Sequence, residues 1–496
     1  MNIKKTFKDI VITSLIVTTG TALGYALRIL FARNLSQSDY GLFYAIIAFF
    51  VLFSMFRSLG TTESLVHFIP KYLAEKNWNK LKFSTRSVLL LQIIVSSVIS
   101  FLFFIFSDFI ALHFFHMNEA SLLIKFQAIT FFIIGAIDVF VSIFRGFQRP
   151  ILASLYDPIR LMIVGLFSIF LIKMNIFTVK TLFIVWLISY VLLALFYILT
   201  LFKNYRKLFD IKSVVDSDVI KDIKSYSIPL MFGMGAQLMF SRIDELILLF
   251  FKGSSEVALF EIAYPASQLM LVLVAPFTFV LFPMISKLFF ENKKDKIREA
   301  LQIVYNTGLF FIAPFAVLLL LYPDLIIRVL FSSKYIEASL ALQIMTIGTL
   351  FLIFSTINMT VLSGIGKMIT RTKILYSVGA FNIFLNLTLA PKFGVIGTVT
   401  ATSISFSILW ITSYMEFIKE IPGFTVKVKY LIRILISLIV FLLSMIVLKN
   451  IFTFSMYVEA ILFTLISFSV YLSIGVFVLK IINLESVKKI YTEIMK

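Results

Sequence analysis

Ser38-Asp39-Tyr40-Gly41-Leu42-Phe43 stands between two long apolar runs, and Ser255-Glu256-Val257-Ala258-Leu259-Phe260 stands between two more, 217 positions later. Acid, small residue and Leu-Phe return in register. Further along, Arg145-Gly146-Phe147-Gln148 is matched by Ser363-Gly364-Ile365-Gly366 at a displacement of 218, and Gln127 and Thr130 by Gln343 and Thr346 at 216. Weak matches that share nearly one displacement mark an internal repeat.

What lies between the matches is apolar. Of 496 residues, 60% are hydrophobic, 57 are Phe and only 14% are charged, with a mean hydropathy of +1.01. A soluble domain is about half apolar and a quarter charged, so this chain's solvent is mostly lipid. Spans are expected near 10–32, 41–60, 87–107, 120–143, 151–172, 178–202, 226–251, 257–286, 300–322, 338–363, 374–391, 394–416, 431–448 and 454–479. Each can cross about 30 Å of hydrocarbon at about 1.5 Å per residue. The displacement covers six spans, an even number, so both copies enter the membrane the same way round, as in parallel repeats.

The expected fold is therefore all-α and integral to the membrane, with about 14 transmembrane helices. Two parallel six-helix repeats form two lobes around a central cavity, with two C-terminal helices outside the duplication. The corresponding domains are an N-lobe over 1–210, a linker over 211–225, a C-lobe over 226–420 and a final pair of spans with a basic tail over 421–496.

The net charge of +19 would suggest nucleic acid in a soluble chain. Here its distribution assigns it to topology. Lys4, Lys5 and Lys8, the run from Lys71 to Arg86, Arg145 and Arg149, and the clusters at 203–224, 287–298, 367–373, 419–433 and 480–496 all fall on one side of the alternating spans. The positive-inside rule puts that side, with both termini, in the cytoplasm of a cell-membrane protein. No nucleic-acid partner is expected. No signal peptide is read, because the first apolar run is too long and lacks a small-residue cleavage pattern. With no Cys and only His67, His113 and His116, neither a metal centre nor another cofactor is expected. His113 and His116 beside Asp108 and Glu119 read as a solvated external cluster.

Several motifs resemble a known family: Gly24-Tyr25-Ala26-Leu27-Arg28, Ala32-Arg33-Asn34-Leu35, Asp39-Tyr40-Gly41-Leu42-Phe43, Gly60 and Phe68-Ile69-Pro70-Lys71-Tyr72 in the opening quarter, Phe282-Pro283-Met284-Ile285-Ser286-Lys287 closing the eighth span, Gly364-Ile365-Gly366-Lys367 after the tenth, and the run from Asn386 through Ala390-Pro391-Lys392-Phe393-Gly394 to Thr398. The chain resembles the polysaccharide-transporter, or Wzx-type oligosaccharide flippase, family of the multidrug/oligosaccharidyl-lipid/polysaccharide (MOP) exporter superfamily. The resemblance implies two six-helix lobes and, as substrate, an oligosaccharide carried on a polyprenyl or dolichyl (di)phosphate. Partners would be that lipid-linked oligosaccharide, membrane lipid and glycan-assembly proteins.

Ionisable residues inside spans are costly and mark functional interiors. Arg28, Arg57, Arg160 and Arg242 are the candidate cavity residues for the diphosphate, because a guanidinium stays charged when desolvated and grips phosphate oxygens through two parallel bonds. Asp138, Asp157, Asp244 and Glu245 are the candidate coupling or gating acids. Structural readings stand beside these. Arg28 aligns through the repeat with Asp244 or Glu245 and would serve as a fixed salt bridge; Arg57 and Arg160 lie near the membrane surface, where a long side chain snorkels to headgroups; Arg242 has Asp244 and Glu245 within one turn. The prolines at 229, 265, 276 and 314, and Gly233 with Gly235, read either as hinges or as ordinary kinks and close-packing sites. The stretch Pro70 to Lys82 reads as an amphipathic surface segment.

The function read from these residues is a flippase moving a lipid-linked oligosaccharide across the cytoplasmic membrane by alternating access. A small-molecule or drug exporter is the alternative within transporters. A membrane polymerase or glycosyltransferase would need an acidic or metal-binding motif in a sizeable loop, and the longest loops are about 20 to 25 residues, so no enzyme is expected. An ATP-driven pump would need a Gly-rich phosphate loop, which the chain lacks.

Overall fold

Lipid offers no partner for a backbone N–H or C=O, so apolar runs of this length must satisfy themselves as helices. A computed structural model describes residues 3–209, 214–452, 456–479 and 481. No strand occurs among the described residues. In chain order the helices are α1 (Ile3–Asn34), α2 (Gln37–Ser58), α3 (Thr61–Ala74), α4 (Trp78–Ile105), α5 (Ser107–His113), α6 (Ala120–Gly146), α7 (Pro150–Ser154), α8 (Tyr156–Lys173), α9 (Val179–Tyr205), α10 (Ser217–Lys252), α11 (Ser254–Phe290), α12 (Lys294–Leu321), α13 (Pro323–Leu330), α14 (Ser339–Gly364), α15 (Met368–Glu420), α16 (Val428–Ile451) and α17 (Met456–Ser473).

Among the described residues eleven helical stretches are long and apolar enough to cross a membrane. One of them, α15, is two spans, because Gly394 breaks its helix with φ 60° and ψ −136°. With that division the described residues hold twelve such stretches, and α10 and the shorter apolar helix over 462–478 occupy the positions of the two remaining expected spans. Their outer faces are greasy: on α16, Ile432, Leu435, Ile439, Leu443 and Ile446 are all more than half exposed, while Ile434, Ser437 and Phe441 face inward.

The repeat reappears in backbone geometry. Lys76 and Asn292, displaced by 216, both have φ 55°; Gln148 and Gly366, displaced by 218, have φ 55° and 84°. These are the left-handed positions that stop α3, α11, α6 and α14. The short helices α5 and α13 follow the third span of each copy. One contact is copied almost atom for atom: a Cβ on Gly146 would lie 2.8 Å from Ile69 Cβ and 3.0 Å from the Leu65 carbonyl oxygen, and one on Gly364 would lie 3.1 Å from Ile285 Cβ and 3.3 Å from the Phe282 carbonyl oxygen. Without a hydrophobic drive between helices in lipid, such close approach of backbones supplies much of the association energy.

Where the copies differ, the first is broken. Leu59 (φ 48°) and Gly60 (φ 71°) separate α2 from α3, whereas α11 runs on through Pro276 and Pro283. A side chain at Gly60 would put its Cβ 2.3 Å from the Ser227 carbonyl oxygen. The amphipathic segment is accordingly α3 over 61–74 rather than 70–82. Tyr72 sits in the core, and His67 stacks on Tyr226 of α10 at 4.5 Å.

By packing, the chain divides into units over 1–258 and 259–496. The first is centred on α6, with Tyr190, Tyr197, Phe140, Phe144 and Tyr72 among its buried residues. In the second, the C-terminal spans are seated on α12: Tyr471 stacks on Phe310 at 4.7 Å and donates its hydroxyl to the Phe310 carbonyl at 2.7 Å.

Candidate functional site in the first helical unit

Arg57 occupies the last turn of α2, immediately before the left-handed break at Leu59–Gly60. That break redirects the chain so that Glu63, in the first turn of α3, faces the same space. Asp138 and Arg145 are seven residues apart on α6, two turns on one face. With Tyr156 and Asp157 at the start of α8 they line a cavity of about 430 Å³.

Each charge lining this cavity is paired, Asp157 with an arginine outside it. Arg57 donates to Asp138 at 2.6 Å and to the Phe131 carbonyl at 3.2 Å, and its guanidinium lies 4.5 Å from the Phe131 ring centre. Arg145 donates to Glu63 at 2.7 Å. Asp157 reaches out of the cavity wall to accept from Arg160 at 2.9 Å, and Arg160 is held over the Trp186 and Tyr190 rings at 4.6 and 5.3 Å. Three arginines thus face three carboxylates. A bare positive wall is not what the first unit presents.

Burial decides how much these pairs matter. Arg57 is 5% exposed and Arg160 8%, so neither snorkels to a membrane surface. The side chains of Asp138, Asp157, Glu63 and Arg145 keep 32%, 58%, 31% and 44% exposure. Each buried guanidinium is therefore fixed by aromatic and carboxylate neighbours, while the acids remain open to the cavity. An anion entering it would find Arg57 and Arg145 pre-oriented and would have to displace or neutralise their carboxylates.

The other sequence candidates lie elsewhere in this unit. Arg28 lies over Tyr44 at 4.2 Å. Arg242 donates to Glu245 at 2.8 Å within one turn of α10; Glu245 has no exposure and Asp244 4%. None of these four lines the cavity. Glu63 and Arg145 were missed as site residues. Arg145 had a usable signal, its seven-residue spacing from Asp138; Glu63 had none.

At the opposite end of α6 from Arg145, Asp108 accepts from the Ser121 hydroxyl and lies 3.6 Å from Lys125, which together hold its carboxyl below the usual range. His113 stacks on Phe109 and His116 lies against Phe250. Among the described residues no three His, Asp or Glu side chains are grouped to hold a metal.

A helical membrane protein of two parallel six-span repeats and two added spans is the architecture of the MOP exporter superfamily, and solved structures agree. The fold matches a lipid II flippase, MurJ, in an inward closed conformation with a TM-score of 0.74, covering 98% of this chain and 100% of that one at 20% identity. It matches an inward-facing multidrug resistance MATE transporter with a TM-score of 0.69, covering 84% of this chain and 98% of that one at 16% identity. A family model described as MatE matches residues 229–388. An uncharacterized membrane protein of Methanocaldococcus jannaschii is 31% identical over 490 residues, 96% of this chain and 95% of its own length. The family model for polysaccharide biosynthesis protein matches residues 6–289, and the chain belongs to that family.

Proposed function

We propose that this protein is a flippase that carries an oligosaccharide linked to a polyprenyl or dolichyl (di)phosphate across the cytoplasmic membrane by alternating access, for surface polysaccharide or glycoprotein synthesis. The observation that carries the reading is the cavity in which Arg57 and Arg145 are pre-oriented opposite Asp138 and Glu63. Phosphate oxygens take the place of the carboxylates on the guanidinium forks, and the released acids take up protons or a cation. Binding of the head group and neutralisation of the acids are then one exchange. Lysine- and arginine-rich loops put both termini on the cytoplasmic side. Arg28, Arg242, Asp244 and Glu245 stay outside this exchange and act, on this reading, in gating.

The test is translocation of a short polyprenyl-diphosphate oligosaccharide by the reconstituted protein. Arg145→Gln is the informative variant: its pair with Glu63 is partly exposed and worth about 0–1 kcal/mol, so the fold survives while half of the proposed anion grip is gone. Protein-dependent transfer that falls at least about tenfold in this variant supports the reading, since about 1.4 kcal/mol of lost phosphate contact suffices. Transfer unaffected by it refutes the assignment. A second reading, export of organic cations, is favoured by the three acids open to the cavity and by the MatE match over 229–388. Efflux of a cationic dye without glycan transfer would establish it.

A further inference from the structure

Gln92 lies on α4 with no exposed surface, and neither its amide nitrogen nor its amide oxygen has a hydrogen-bond partner. Ser96 and Ser100 follow at four-residue steps on the same helix face, 0% and 8% exposed, with their hydroxyls unpartnered as well. Elsewhere on this helix Ser84 and Thr85 bond back to the Leu81 carbonyl at 3.0 Å. Facing them, α6 contributes Gln127, 3% exposed with an unpartnered side-chain oxygen, and makes room at Gly135, where a Cβ would lie 2.1 Å from Ser96 Oγ and 3.4 Å from Arg57 Cδ. Ser96 therefore adjoins the very side chain that holds Asp138.

Buried polar groups without partners cost about 1–3 kcal/mol each. Water removes that cost where two to four polar groups lie within its reach, and this row supplies them at steps of about 6 Å. The row points from Asp138 toward the far end of the unit. There Ser107 and Ser121 have their hydroxyls 3.5 Å apart, and Ser121 donates to Asp108. Between the two polar ends the rings of Phe50, Phe103 and Phe131 close a collar, with centroids 4.8, 5.6 and 6.3 Å apart.

We propose that α4 and α6 enclose a hydrated proton path, gated by the Phe50–Phe103–Phe131 collar, that leads from the Asp108 end of the first unit to Asp138. A hydronium ion gives its proton to the Asp138 carboxylate and becomes water; the neutral acid releases Arg57 for an anion in the cavity. The groups facing Asp138 there are Arg57 from α2, Glu63 from α3, Arg145 on α6 and Tyr156 with Asp157 from α8. The idea rests on Asp138 as the coupling acid of the proposed flippase, and it adds the route by which that acid is supplied.

The chain has no cysteine, so single cysteines report hydration without background. In the full-length protein, purified and reconstituted in vesicles, Ser96→Cys and Ser100→Cys are compared with Val88→Cys and Ala128→Cys, which are 1% exposed on the same two helices. Silver ion is added to one face at a time and residual thiol is counted by mass spectrometry. A thiol whose pKa is raised by one unit through desolvation presents about tenfold less thiolate. The expected result is reaction at 96 and 100 about tenfold faster than at 88 and 128, and faster from the Asp108 face. Equal rates at all four positions overturn the path.

A second measurement reads the proton itself. Dye-loaded vesicles that carry a short polyprenyl-diphosphate oligosaccharide should, on an acid step, acidify through the wild type and lose that uptake in Gln92→Leu and in Asp138→Asn; uptake intact in Gln92→Leu also overturns the proposal. Silver accessibility does not depend on the cargo. Failure to flip a glycan leaves the path standing, and dry cysteines in a protein that does flip glycans leave the flippase standing.

Discussion

Asp138→Ala leaves the Arg57 guanidinium, 5% exposed, with the Phe131 carbonyl and ring but without its carboxylate. An arginine cannot escape by losing its proton. Breaking a buried pair in this direction costs about 3–5 kcal/mol, and because the Asp138 side chain is 32% exposed the lower end applies, about 3 kcal/mol. The reverse change, Arg57→Met, keeps the volume and strands a carboxylate that is partly hydrated and can take up a proton; about 1–2 kcal/mol is expected. With both replaced, neither charge remains and the loss should again be about 1–2 kcal/mol. The cycle then shows a coupling of about 2–4 kcal/mol, with the acid the costlier single loss. Denaturant unfolding in detergent, followed by tryptophan fluorescence, measures all four proteins. A coupling below about 0.5 kcal/mol, the additivity limit, or a larger loss from Arg57→Met, would refute the argument that this pair is a desolvated one fixed on the arginine side.

Other expectations follow from single contacts. Gly146→Ala should destabilise the first unit by about 1–3 kcal/mol through overpacking, and more than Gly364→Ala does the second, since the added Cβ meets Ile69 Cβ at 2.8 Å but Ile285 Cβ at 3.1 Å; thermal unfolding of the two variants checks the order. Tyr471→Phe removes the hydroxyl that donates to the Phe310 carbonyl, which Pro314 four residues on cannot serve, and so strands a buried acceptor, a loss of about 1–3 kcal/mol that the same assay resolves. The carboxyl of Asp108, held down by Ser121 and Lys125, stabilises its loop above the ordinary carboxylate range. That contribution is lost only as pH falls through the lowered folded value, so hydrogen exchange over 107–125 should rise at acid pH in the wild type and be raised at all pH values in Asp108→Asn.

What could be read from residues alone was whatever depends on neighbours along the chain. Span positions came from apolar runs, and the duplication from Leu-Phe and Gly motifs that return at 216–218; both reappear in helix boundaries and in the paired left-handed residues. Arg242 with Glu245 was legible too, because three residues on a helix bring side chains together. Arg57 with Asp138 and Arg145 with Glu63 were not, since 81 and 82 positions separate the partners and only the packing of α2 and α3 on α6 joins them. The snorkelling alternative for Arg57 and Arg160 could not be weighed from sequence for the same reason: depth along a span says nothing about which face of the helix a side chain occupies, and here both guanidiniums lie against aromatic rings.

The duplication also weighs the charges against the fold. At the displacements that superpose the two copies, Arg57 corresponds to Val274, Glu63 to Val280, Asp138 to Thr356 and Arg145 to Ser363. The second copy keeps the glycine contact and the left-handed stops of the first, yet it carries none of these four charges. This helix arrangement therefore forms without them. The buried Arg57–Asp138 pair and the half-exposed Arg145–Glu63 pair are not explained by the packing they sit in. On the proposed function they serve what enters the cavity they line, because a charge-balanced set of arginines and acids is what an anion exchanged for protons would require.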